Sequence, residues 1–216
     1  MKELKVKDIE HAVRTIAEVA IHNEKYFSEL DAVMGDADFG VSLATGFQAV
    51  IDQWDALDRS SIGAFLTKVS MIISSKVGGC SGPIWGTAFM RAGIKSKGKE
   101  SVTLADLVEM SRSAIEGIKA RGGAELGDKT LLDAVAPATE SLAKHAQKSE
   151  HNILEALEDA SKAATEAIEG TRKWEAKRGR QSFTGERSIG TVDPGIVAVA
   201  TMVQEVAKKL KEVNRG

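Results

Sequence analysis

Apolar residues recur at three- and four-residue spacing along most of this chain, and that period argues for helices. Ile9, Val13, Ile16 and Ala20 form one stripe, in a first helix expected over roughly residues 7–30. A second helix is expected from Val41 to about Trp54, with Ser42 as its N-cap. Ser60 or Ser61 opens a third, whose stripe is Phe65, Val69, Ile72 and Ile73, and Gly78-Gly79 stops it. Ser81-Gly82-Pro83 opens a fourth, because proline suits a first helical turn. Thr103, with Asp106 three residues on, makes a capping box for the fifth. The sixth runs from about Thr130 to Ala146, and Pro137 inside it should kink it. Asn152 caps the seventh, expected to reach about Lys177, and Asp193-Pro194 opens the eighth, which ends near Lys211. Short apolar runs such as residues 196–200 lie inside longer helical periods, so no strand is expected.

This pattern implies an all-α protein of eight helices, in one domain over residues 1–216. Short connections make consecutive helices antiparallel, in an up-and-down bundle or a closed ring. If the helices alternate in direction, the connections after the first, third, fifth and seventh meet at one end. Those four segments are the irregular ones. Asp31 to Gly40 places Asp31, Asp36 and Asp38 within eight residues, beside Gly35 and Gly40. Three clustered carboxylates repel one another unless a cation sits between them, and hard oxygen ligands suit magnesium or calcium. The plainer alternative is a solvated acidic loop that caps the next helix. An EF-hand does not fit: counted from Asp36 the fifth and twelfth positions are Gly40 and Phe47, and counted from Asp31 the twelfth is Ser42.

Ser75 to Pro83 is a glycine-rich turn feeding a helix N-terminus, a place that suits phosphate or simply a tight turn. Gly122 to Thr130 is not a P-loop, because Asp128 separates glycine from lysine and a helix precedes it. The long connection from Arg178 to Val192 carries Arg178, Arg180 and Arg187, and arginine can fork two hydrogen bonds onto phosphate. Taken together, the four loops suggest one site built from metal ligands, helix N-termini and arginine.

Composition narrows the rest. Lysine plus arginine number 29 and aspartate plus glutamate 31, a balance that argues against a nucleic-acid partner. Cys80 is the sole cysteine, so no internal disulfide forms and a reducing, cytoplasmic setting is expected, with Cys80 as a small buried side chain. No secretory signal pattern or membrane-spanning apolar run is present. His11, His22, His145 and His151 lie away from the four loops and are expected on surfaces or in packing. No nucleophile with a partnered base is visible.

The four loops, in order, resemble those of the nucleotide-binding L subunit of dihydroxyacetone kinase. The matching pieces are Asp31 with Gly35-Asp36-Ala37-Asp38; Gly78 to Pro83; Arg121-Gly122 with Gly127-Asp128-Lys129-Thr130; and Gly179-Arg180 through Gly185 and Gly190 to Asp193-Pro194-Gly195. The resemblance spans essentially the whole chain. It implies a closed barrel of eight antiparallel helices with the nucleotide at one end. It also implies that Asp31, Asp36 and Asp38 hold two magnesium ions on the phosphates of ADP or ATP. By the same resemblance Phe39, Gly40, Val41, Ser42, Gly79, Cys80, Gly122, Leu131, Arg180, Asp193, Pro194 and Gly195 line the nucleotide. The family usually has histidine at Phe39 and asparagine at Ser42, and phenylalanine cannot donate a hydrogen bond to phosphate. A separate K subunit would hold the keto-sugar, and the phosphoryl group would come from free ATP or from ADP recharged by a phosphotransferase M subunit. A nucleotide sensor that docks on a transcription regulator, or a helical protein with a degenerate site, are the other readings of the same residues.

Overall fold

The computed structural model describes residues 1–214. Among them the chain is mostly helical. The α-helices are α1 (Val6–His22), α2 (Glu24–Ala32), α3 (Phe39–Asp52), α4 (Ile62–Lys76), α5 (Ser81–Lys95), α6 (Leu104–Gly122), α7 (Leu132–Ala146), α8 (Ile153–Gly170) and α9 (Pro194–Val213). The capping residues act as their chemistry dictates. Thr103 Oγ1 accepts the Asp106 N–H while Asp106 returns a carboxylate oxygen to the Thr103 N–H. Ser61, Asn152 and Asp193 each accept a first-turn N–H, and Pro194 takes the first position of α9.

Helices adjacent in sequence pack on one another from α3 to α9, α1 packs on α3, and α9 returns to α1. α2 lies against α3 and α9. The inward stripes make one main core, in which Phe27, Phe47, Phe65, Ile73 and Ile196 are fully buried, and Leu132 is buried in a smaller cluster with Ile118 and Ala124. Edge-on aromatic pairs lock neighbouring helices, with Trp54 to Phe65 at 5.7 Å and Phe47 to Trp85 at 6.3 Å between ring centres.

Four expectations need correction. The first helix is not continuous: Asn23 ends it, its side-chain amide donating to Val19 O at 2.9 Å and competing with the helical ladder. Ser42 does not open the second; α3 begins at Phe39, and the Ser42 N–H already donates to Asp38 O at 2.9 Å within the first turn. α8 stops at Gly170, seven residues short of Lys177, where Thr171 turns its hydroxyl back to Ala167 O at 2.8 Å. Finally, two strands exist. β1 (Glu3–Lys5) pairs antiparallel with β2 (Ser101–Thr103), placing Leu4 opposite Val102, both buried. At three residues each they are too short to show a period of their own. α7 runs through Pro137. The long connection between α8 and α9 forms 3₁₀ turns over Arg180–Ser188, interrupted at Gly185 (φ 57°).

Contacts divide the connections between two ends. Met1, Val6, Glu100 and Ile153 meet through backbone hydrogen bonds at one of them. At the other lie the segment before α3, the turn before α5, the segment before α7 and the long connection before α9.

Candidate nucleotide–metal site

The acidic segment is shaped by one buried carboxylate. Asp31, on the last turn of α2, accepts the N–H groups of Asp38 (3.1 Å) and Phe39 (3.4 Å) on a single oxygen. The polypeptide from Val33 to Asp38 must therefore fold back over the end of α2. The Gly35 N–H closes that turn on Asp31 O at 2.6 Å. The one residue of this segment in the left-handed region is Ala37 (φ 62°), neither of the two glycines. An alanine there is strained, and such strain concentrates where the surrounding structure holds a functional geometry. Gly40 is required for a different reason. A Cβ at that position would overlap the Glu24 carbonyl and crowd the Ser28 N–H, so its absence lets α3 rest directly on α2.

The result is convergence: Asp31, Asp36 and Asp38 each present a carboxylate oxygen, all within 4.8 Å of one another. Asp31 is buried, while Asp36 and Asp38 face solvent. Arg180 reaches across from the long connection, with Nε 2.8 Å from Asp36 and Nη2 3.5 Å from Asp38. Partial burial raises the Asp38 pKa, and the charges of Asp36 and Asp31 add to that while Arg180 opposes it. The donor set, three hard carboxylate oxygens from one short segment, fits magnesium.

Other expected site residues gather around this cluster in smaller groups. Ser42 lies beside Gly78, across the turn that leads to Gly79 and Cys80. Gly122 approaches Ile84 on the first turn of α5. Gly195 sits against Leu131, 3.3 Å from its Cβ to the position a Gly195 side chain would take. Asp193 caps α9 through the Ile196 N–H at 2.9 Å. Val41, Gly79, Cys80, Gly122 and Arg180 are exposed. Cys80 is thus not the buried side chain expected: it stands exposed at the N-cap of α5. Phe39 directs its ring towards Phe27, 6.2 Å between centres, so its contribution to the site is its backbone N–H.

Burial pushes the Asp193 carboxyl up to about 7, against the opposing pull of the Ile196 and Gly195 N–H groups and the Lys129 ammonium. A carboxyl raised above its unfolded value of about 3.9 binds more protons folded than unfolded, so folding weakens as pH rises from about 4 to about 7. Asp193→Asn keeps a capping oxygen and should flatten this decline. Thermal melting of both proteins across that range checks it; parallel curves would mean that Asp193 titrates normally.

The chain is similar to known proteins. A DAK2 domain model matches residues 33–208. The ADP-binding subunit DhaL of the PEP-dependent dihydroxyacetone kinase of Escherichia coli (strain K12) is 42% identical over 190 residues, 87% of this chain and 89% of that subunit. The chain belongs to the dihydroxyacetone kinase L-subunit family. Its fold is also that of about a third of a larger protein: the dihydroxyacetone kinase of C. freundii, native form, superimposes with a TM-score of 0.73 at 25% identity, over 93% of this chain and 34% of that one. The form of that kinase in complex with AMP-PNP and Mg2+ gives a TM-score of 0.70 at 23% identity, over 92% of this chain and 33% of that one.

Sequence reasoning assigned no role to one residue that supports the connection carrying Arg180. Lys129 is wholly buried, and its ammonium donates to Ser188 O (2.7 Å), Trp174 O (3.0 Å) and Arg172 O (3.5 Å). The resemblance included Lys129 in the piece Gly127-Asp128-Lys129-Thr130 but gave it no role, and burial was not expected because lysine is almost always exposed. Arg178, on the same connection but not among the residues the resemblance places on the nucleotide, is 3.4 Å from Asp128.

Proposed function

We propose that this chain is the nucleotide-binding subunit of a dihydroxyacetone or related keto-sugar kinase, a phosphotransferase active with a partner subunit. The observation that carries this reading is the convergence of Asp31, Asp36 and Asp38, with Arg180 above them, in a member of the L-subunit family. Magnesium, two ions in this reading, sits on Asp31, Asp36 and Asp38. The nucleotide, ADP or ATP, lies along Phe39 to Ser42, Gly79, Cys80, Gly122, Leu131, Arg180 and Asp193 to Gly195. The reading treats residues 1–216 as one domain. It takes the architecture as a closed barrel of eight antiparallel helices, α1 and α3 to α9, with α2 as an added helix under the metal segment. The return of α9 to α1 supports that closure.

When bound, magnesium neutralises charge on the transferring phosphoryl group. The chain's own residues do the positioning. Asp31 fixes the segment that carries the other two carboxylates, through the N–H groups of Asp38 and Phe39. The N-terminal turns of α3 and α5 offer N–H groups to phosphate oxygens, while those at the start of α9 are taken up by Asp193. Arg180 supplies a positive fork that can pass from Asp36 and Asp38 to the nucleotide. The sugar would be held on a separate K-type subunit. That the E. coli relative is a PEP-dependent, ADP-binding subunit favours bound ADP, recharged by a phosphotransferase M subunit, over free ATP. Among the described residues no helix is long and apolar enough to cross a membrane, and the working location in this reading is the cytoplasm.

Mixing the chain with a K-type subunit, dihydroxyacetone and either ATP or an M-subunit donor should yield sugar phosphate. Nucleotide binding without product in any combination would favour a nucleotide sensor. In a direct nucleotide titration Arg180→Ala should weaken nucleotide binding about tenfold or more, the cost of a charged hydrogen bond. Arg178→Ala, whose partner is Asp128, should change it little. Equal small effects would remove Arg180 from the site.

A further inference from the structure

The loop that carries Arg180 is long, yet its two ends are joined at a neck. Gly190 N–H donates to Arg172 O at 2.8 Å, and Ser188 Oγ accepts the Ala176 N–H at 2.9 Å. At the centre of this neck lies the Lys129 ammonium, which comes from a different element, the segment before α7. Its acceptors straddle Arg180 in sequence: Arg172 and Trp174 before it, Ser188 after it. Burying an ammonium is costly, and burial lowers the Lys129 pKa accordingly. Three donors on one atom are what three inward carbonyls from two strands of polypeptide require. No neutral side chain offers as many from a single point. The backbone of Lys129 is also held in the left-handed region (φ 61°), one of two non-glycine residues so placed among those described; the other is Ala37 in the acidic segment.

We infer that Lys129 is a positioning residue for Arg180: its ammonium staples the neck of the loop so that the guanidinium meets the phosphate-facing side of Asp36 and Asp38. This rests on the nucleotide reading above. The staple itself does not, and the two can be tested apart. Without nucleotide, Lys129→Met should speed hydrogen exchange at the amides of Ala176 and Gly190 while amides in the middle of α4 and α9 keep their protection. With magnesium and ADP, calorimetry should show affinity falling about tenfold or more, as for loss of Arg180 itself. In a double-mutant cycle, Arg180→Ala should cost far less in the Lys129→Met background than in the native one, because the arginine is already misplaced. Lys129→Gln, whose amide reaches fewer carbonyls, should lie between, and it is the variant to measure if Lys129→Met fails to fold. Unchanged exchange at the neck, or additive effects of the two substitutions, would overturn the inference. Absence of ADP binding by the native protein would instead overturn the nucleotide reading, and the exchange result would still decide the staple.

Discussion

Asp36→Asn should abolish sugar phosphorylation and leave the protein folded. Asp36 is exposed, and its only ion-pair partner among the described residues is Arg180, itself half exposed. Such a pair is worth about 0–1 kcal/mol, and removing one member of an acidic cluster relieves repulsion of similar size. The melting temperature should therefore barely move. Asparagine keeps one carbonyl oxygen but removes the charge that holds the cation against the phosphates. A bound cation contributes several kcal/mol to stabilising transferred charge, and about 1.4 kcal/mol is tenfold in rate. Turnover should fall about a hundredfold or more. The same change at Asp31 would be less informative, because that carboxylate also accepts two backbone N–H groups that shape the segment. Sugar-phosphate formation with partner subunits, together with a melting curve, separates the cases. Near-normal turnover would take Asp36 out of the metal set, and a collapsed transition would make the segment structural.

Gly40→Ala should be among the most destabilising single changes in the chain. The added methyl would meet the Glu24 carbonyl and the Ser28 N–H, both backbone atoms of α2 that cannot swing aside. Overpacking ordinarily costs about 1–3 kcal/mol, and a rigid backbone contact puts this site at the upper end or beyond. For a protein of this size that is a fall in Tm of roughly 6–12 °C. Because α2 carries Asp31 while α3 follows Asp36 and Asp38, the same displacement should weaken metal binding. An unchanged melting curve would show that the two helices do not approach so closely.

Much of this arrangement was legible in the residues. Thr103, Asn152 and Asp193 announced their helices because a capping side chain acts on its own polypeptide within three residues. The acidic segment announced itself through charge density, and the irregular loops expected to share one end do touch, Arg180 reaching Asp36 and Asp38, Lys177 N–H donating to Asp128 O and Gly78 lying beside Ser42. What was not legible depended on distant partners. Asn23 breaks an apolar stripe that Phe27 continues, and only the docking of α2 on α3 and α9 chooses the break over the straight helix. Lys129 looked like any loop lysine; its carbonyl partners lie more than forty residues away in sequence. Ala37 takes the backbone conformation that composition alone would have assigned to Gly35 or Gly40. Cys80, a residue type usually buried, is exposed at the N-cap of α5, a placement that residue type alone does not predict.

The central claim, that Asp31, Asp36 and Asp38 bind nucleotide through a shared cation, is tested most directly by titrating ADP into the protein by calorimetry, once with magnesium and once with excess EDTA. With magnesium the account predicts saturable binding. With EDTA it predicts loss of binding, because three carboxylates and a diphosphate then repel one another. Equal affinity in both titrations would contradict it.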